Sequence, residues 1–373
     1  MKKIFVVMLL ILTTFFNGCN RDDSNQNNLK STEQKFDIKI ASNILYTYLE
    51  YLYKGDIDSA EKLYGEPLSK KNEKLSDTDL KIFGYRVDEI NEVGRNGVFT
   101  VKIVKSSPEK MVSELDKYTI KVELQKDKYK ITDIINETDK EAFLAAGEIR
   151  IRDKNNIKTN LIMDMSGIPL YIYAKDDAAK INKLFVPRKN FGMMGFDYTG
   201  ERIAVTTLDN GVYVAVVKID ETLAAQGGGG GGGASAGAGG GVGGGGGAAQ
   251  SQGGSRSLNK EMPVGKEIIS MDLIKSSIVT SLNFSLDEKN LVVQYKDKEN
   301  NHTLRLYDVD SGDLINFDFE KKFPKEKFDV VFSSFDEDVM NFEVKAKGNV
   351  EKEASKDIGK WQINLKNNKA KKL

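Results

Sequence analysis

The chain has 373 residues, 55 Lys and Arg against 55 Asp and Glu, and a formal net charge of zero. Domains cluster around ~100 to 200 residues, so two folded units are expected. A hydrophobic share of 40% excludes a wholly disordered chain, and the balanced charge removes the broad electrostatic argument for nucleic acid.

The first residues speak to location. Lys2 and Lys3 form a short basic head, Ile4 to Phe16 an uncharged, mostly apolar run, and Gly18 precedes Cys19, the only cysteine. This is the layout of a secretory signal, with an apolar part too short for a comfortable membrane span. Phe16-Asn17-Gly18-Cys19 resembles the lipobox of bacterial lipoproteins, with Phe16 and Asn17 departing from the more usual Leu and Ala or Ser. The resemblance implies a signal peptide over 1–18, cut before Cys19, and a diacylated Cys19 sulfur that holds the protein on the outer face of the cell membrane. Two acyl chains anchor durably where one does not. The alternatives are an uncleaved anchor, or an ordinary signal beside an incidental cysteine. A lone thiol in an exported protein has no disulfide partner, which favours the lipid reading. Residues 19–35, rich in Asn, Asp, Ser and Gln, read as a disordered tether.

From 36 to 146 the pattern is α+β: helices, then a small antiparallel sheet. Phe36, Ile40, Ile44, Leu45, Tyr48, Leu49 and Leu52 recur at three- and four-residue steps, which makes one helix face apolar. Gly55 supplies a left-handed stop, and Asp56 caps a second, short helix. Strand character follows over Phe83 to Ile90, Gly97 to Val104, Tyr118 to Leu124 and Tyr129 to Ile134, the last two joined by a turn at Lys126-Asp127-Lys128. Helix cover over the sheet's apolar face is expected. Glu137 to Ala146 reads as a connecting helix that Gly147 ends. The segments Tyr51 to Ala60 and Lys128 to Ile134 resemble the cystatin-like domains of the nuclear-transport-factor type found in Gram-positive surface lipoproteins, over about a hundred residues. No position matches a catalytic motif of that superfamily. The spacing of Tyr46, Tyr48, Tyr51 and Tyr53 suits ordinary helix packing better than a ligand box.

Residues 147–373 read as an all-β repeat region. Met194 to Val205 aligns with Leu282 to Val293 and with Val331 to Met340, each of them strand, aromatic, polar turn, strand. Tyr307-Asp308-Val309-Asp310-Ser311-Gly312-Asp313-Leu314 resembles the turn between the third and fourth strands of a blade in WD-repeat-like and Tol-type propellers. That resemblance implies a small or partial β-propeller of about four to five units of ~40 to 45 residues. An open β-meander or a sandwich is the alternative. The uncharged stretch 222–255 holds 18 of the chain's 34 glycines. It reads as a flexible loop, because its side chains cannot repay the entropy of ordering glycine, and Val212 to Ile219 should pair with Lys266 to Leu273 across it.

Few residues suggest site chemistry. His302 lies in an expected hairpin turn with no second His or thiolate nearby in sequence. Asp308, Asp310 and Asp313 lack the order of a calcium loop. Asp176-Asp177 and Asp336-Asp338 fall at turns, and Trp361 reads as a strand core residue. No catalytic, cofactor or metal residue is assigned, and Cys19 is the one modification site. The resulting expectation is a membrane-anchored extracytoplasmic lipoprotein that acts as a non-catalytic binding or scaffolding module, with a protein partner in the cell envelope. A propeller-borne hydrolase or lyase is the alternative, as is a sensor or accessory subunit of an envelope machine.

Overall fold

The computed structural model describes residues 35–70, 80–107, 109–154, 156–173, 179–223, 261–348 and 354–373. The first helix, α1 (Ile38–Lys54), begins where the Asp37 carboxylate accepts the Lys39 N–H at 2.8 Å. It ends at Gly55, whose φ of 72° turns the chain so that the N–H groups of Gly55 and Asp56 donate back to the carbonyls of Leu52 and Tyr51. Leu45, Tyr48, Leu49 and Leu52 line its buried face, as the periodicity predicts, together with Ala41, which the periodicity did not include, while Ile40 is left 40% exposed. A short α2 (Ile57–Glu61) follows, capped by Asp56.

Six strands then form one antiparallel meander: β1 (Lys81–Val93), β2 (Asn96–Ser107), β3 (Val112–Gln125), β4 (Lys128–Ala145), β5 (Glu148–Asp153) and β6 (Asn160–Asp164). All four expected strands lie inside β1 to β4. The α1 face packs on Phe99, Val101, Ile103, Tyr118, Ile120, Val122 and Ile131 of β2, β3 and β4. Lys126 and Asp127, at φ 46° and 64°, make the two-residue turn between β3 and β4.

The connecting helix expected over Glu137 to Ala146 is instead the second half of β4. Helical propensity at Glu141, Ala142 and Leu144 yields to two ladders, with β3 on one side and β5 on the other. Ala142 is fully buried in the cluster that holds Leu115, Ile149 and Ile151. Ala146 and Gly147, both at positive φ, turn the chain straight into β5, so one sheet runs across residue 146. Phe36–Leu373 form one compact unit.

A two-stranded arm, β7 (Tyr171–Tyr173) with β8 (Lys183–Phe185), precedes three further meanders. The first holds β9 (Asn190–Phe196), β10 (Arg202–Leu208), β11 (Gly211–Ile219) and β12 (Gly265–Lys275). The second holds β13 (Ser277–Phe284), β14 (Asn290–Asp297) and β15 (His302–Asp308); the third holds β16 (Phe328–Asp336), β17 (Val339–Ala346), β18 (Gly359–Asn364) and β19 (Ala370–Lys372). Each sequence repeat is the opening hairpin of one meander. Phe196 pairs with Ile203 and Phe284 with Leu291, and the polar turn between them is tied by side chains: Asp197 accepts the Gly200 N–H, and the Ser285 hydroxyl accepts the Asn290 N–H. β11 and β12 pair from Gly211↔Lys275 to Ile219↔Gly265, the pairing expected across the glycine-rich stretch, which itself lies largely outside the described residues.

The meanders stack face on face. Successive strand residues point to opposite sides, and along β14 Leu291 and Val293 join Val214, Val216 and Met271 of the first meander, whereas Val292 joins Phe332, Phe342 and Trp361 of the third. The run Leu291-Val292-Val293 is continuously apolar because both faces of its sheet are covered. At the other end of the stack, Val104, Leu115 and Ile151 of the six-stranded sheet pack with Met194, Phe196 and Val205. The Ser106 hydroxyl donates to the Met194 carbonyl at 2.7 Å across that junction. The chain is therefore mostly β, with few helices. No described helix is long and apolar enough to cross a membrane.

Candidate functional site

The second meander has three strands where its neighbours have four. Beyond Asp308 the chain turns back, the Ile315 N–H bonds the Leu306 carbonyl at 2.8 Å, and a one-turn helix, α3 (Phe319–Lys322), settles beside β15. Between α3, the edge of β15 and the last residues of β12 lies a cavity of about 540 Å³, lined among others by Asp272, Lys275, Tyr295, Thr303, Arg305 and Glu320.

A bonded chain of charged and phenolic groups, Asp272, Arg305, Glu320 and Tyr295, forms its wall, with the fully buried Tyr307 behind it. Arg305 donates to Asp272 at 2.6 Å and to Glu320 at 3.1 Å. Tyr307 donates to the same Asp272 oxygen at 2.7 Å, and Tyr295 donates to Glu320. The Asp272 side chain is 3% exposed and its second oxygen accepts the Leu273 N–H, so both oxygens of this buried carboxylate are hydrogen-bonded. Burial opposes the Arg305 charge, but Tyr295, Tyr307 and Asp272 outweigh it and hold its pKa above the usual value. Burial, followed by Asp272, pushes the Tyr307 hydroxyl well up, and burial does the same to Tyr295, helped by Glu320; both keep their protons at neutral pH. The Thr303 hydroxyl, on the cavity wall and 4% exposed, has no hydrogen-bond partner among the described residues.

A second charged cluster ties the sheets together. Arg86 of β1 donates to Glu288 at 2.7 Å in the β13–β14 turn and to Asp88, and its guanidinium lies 5.2 Å from the centre of the Tyr198 ring. Asp197, fully buried beside it, is pushed up to about 6 by burial and then by the Glu288 charge. A carboxyl raised above its ordinary value favours folding most when protonated, below about pH 4, and that contribution is lost as pH rises through about 6. Asp197→Asn should therefore gain on the parent by about 2 to 3 kcal/mol between pH 4 and pH 7.5, read from paired urea titrations. A constant difference across that range would show that Asp197 is not the group responsible.

Cys19 and the pair Asp176-Asp177 lie outside the described residues. His302 is not in a turn but opens β15; its N–H donates to Asp329 at 2.8 Å, and its Nδ1 is buried without a partner. Asp308 folds its own turn by accepting from Asp310 and Ser311, and Asp310 pairs with Arg202. Asp336 accepts from Asn341, and Asp338 pairs with Lys366. Trp361 is buried between Phe323 and Phe342. Among the described residues no three His, Cys, Asp or Glu side chains gather as a metal site. Sequence reasoning passes over Asp272, Tyr295, Arg305, Tyr307 and Glu320. The available signal was an Arg and two Tyr on the same face of β14 and β15, but their acidic partners come from a separate strand and a linker.

No family model matches the chain, and no curated protein sequence does either. Among solved structures, a candidate 6-phosphogluconolactonase from Bacteroides fragilis aligns at 9% identity over 63% of this chain and 70% of that one, with a TM-score of 0.23. A candidate dipeptidyl aminopeptidase IV from Bacteroides ovatus aligns at 9% identity over 72% and 42%, with a TM-score of 0.26. TolB from Acinetobacter baumannii aligns at 8% identity over 73% and 61%, with a TM-score of 0.21. The chain spans less than two thirds of the latter two. Likenesses this loose assign neither family nor activity.

Proposed function

We propose that the chain is an extracytoplasmic lipoprotein, held on the membrane through Cys19, that works as a non-catalytic binding module. In this reading the helix-covered sheet is a cystatin-like α+β unit, and the stacked meanders are blades of a small, partial propeller. The stacking supports it, since a blade needs a neighbour on each face.

The observation that carries the binding role is the cavity beside β15. The hollow is preformed and lined mostly by charged and polar side chains, with Leu314, Phe317 and Phe319 among the apolar ones, which suits a polar ligand or side-chain anchor. Arg305 is fixed at both ends by carboxylates and the two tyrosines are fixed by the same carboxylates, which gives a wall that keeps its shape when something enters. A partner from the cell envelope placing one polar side chain in this hollow is the occupant this reading expects.

The test is photocrosslinking on intact cells with benzoylphenylalanine at Ser277, on the cavity rim, and at Lys371, on β19 of the third meander. A discrete crosslinked species from position 277 and none from 371 is expected. No adduct from 277, or the same adducts from both, would overturn the binding role.

A further inference from the structure

The β7–β8 arm is built the wrong way round for a hairpin in water. Ile168, Ile172 and Val186 root it in the core, and Val186 donates its N–H to the Leu170 carbonyl. The opposite face carries the cross-strand pair Tyr171 and Phe185. Phe185 is 85% exposed, Ile181 75% and Leu170 62%, side chains a free-standing surface seldom presents together. Across 170 to 189 the sequence carries five cations, Lys175, Lys180, Lys183, Arg188 and Lys189, against two acids, Asp176 and Asp177; the Arg188 guanidinium is tied to the Met165 carbonyl, whereas Lys180, Lys183 and Lys189 are exposed. Lys183 holds its ammonium 4.2 Å from the centre of the Tyr171 ring, so charge and aromatic surface share one face.

Large apolar and aromatic side chains ringed by lysines match a bilayer interface. Rings and aliphatic chains enter the acyl boundary while ammonium groups meet lipid phosphates. A protein partner would be expected to contribute a larger and flatter patch with some anionic complement. We propose that this arm is a membrane-contact element that docks on an anionic phospholipid surface. It acts separately from the acyl group on Cys19, orienting the folded unit on the bilayer where the acyl chains only tether it.

A local probe separates this from anchoring. An environment-sensitive fluorophore on Ile181→Cys, with Lys371→Cys as the distant control, is read in the full chain with vesicles of phosphatidylcholine alone or mixed with phosphatidylglycerol. A blue shift and quenching by brominated lipid are expected at 181 only, only with phosphatidylglycerol, and weakened as salt rises. Phe185→Ser should lower the apparent vesicle affinity about tenfold, the size of one lost buried ring. An unchanged spectrum at 181, or equal shifts at 181 and 371, overturns the proposal, and a response to a protein but not to lipid would reassign the arm as a protein contact. Both labelled chains carry Cys19→Ser, so the fluorophore sits only on the introduced thiol and the readout is local and independent of an acyl group.

Discussion

Phe323→Ala should destabilise the chain by about 3 to 5 kcal/mol, the cost of emptying a fully buried aromatic site. Phe323 is 1% exposed and sits among Phe328, Phe342 and Trp361, with ring centres 5.2 to 6.3 Å away. It also ends α3, so its loss frees the one segment that substitutes for a fourth strand on β15. Two signatures are expected together: a lower urea midpoint, and weaker crosslinking from position 277 as Phe319 and Glu320 leave the cavity wall. Phe323→Leu should restore most of both. A loss below about 1 kcal/mol would mean that α3 does not rest on this cluster.

Arg305→Met should cost about 2 to 4 kcal/mol, because it strands Asp272 at 3% exposure with only Tyr307 and a backbone N–H to support its charge. Arg305 itself is about one third exposed, which keeps the expected figure below that for a fully buried pair. Arg305→Lys should recover part of this only, since a point charge cannot reach Asp272 and Glu320 at once as the guanidinium fork does. Asp272→Asn combined with Arg305→Met should cost less than the sum of the single changes, because no bare carboxylate remains. Equal costs for the double change and the sum would show that the two side chains do not stabilise one another.

Much of the scaffold is legible in the residues. The three- and four-residue spacing from Ile40 to Leu52, the stop at Gly55, and the aromatic-turn-strand repeats at 194, 282 and 331 each foretell an element, because each is decided by neighbours close in sequence. What is hidden is decided by distant ones. Ala142 is a good helix former that becomes a strand residue because β3 and β5 bond it on both sides. The site is hidden for the same reason: Asp272, Tyr295, Arg305 and Glu320 lie on β12, β14, β15 and α3. None looks unusual until those elements meet. His302, by contrast, attracts notice in sequence for its rarity, yet in the fold its backbone is tied to Asp329.

Mass spectrometry of the amino-terminal peptide, taken from protein extracted from its native membrane, tests the placement of this chain most directly. The account predicts a first residue of Cys19 carrying a thioether-linked diacylglycerol. A peptide that begins at Met1 and holds a free Cys19 thiol would contradict it.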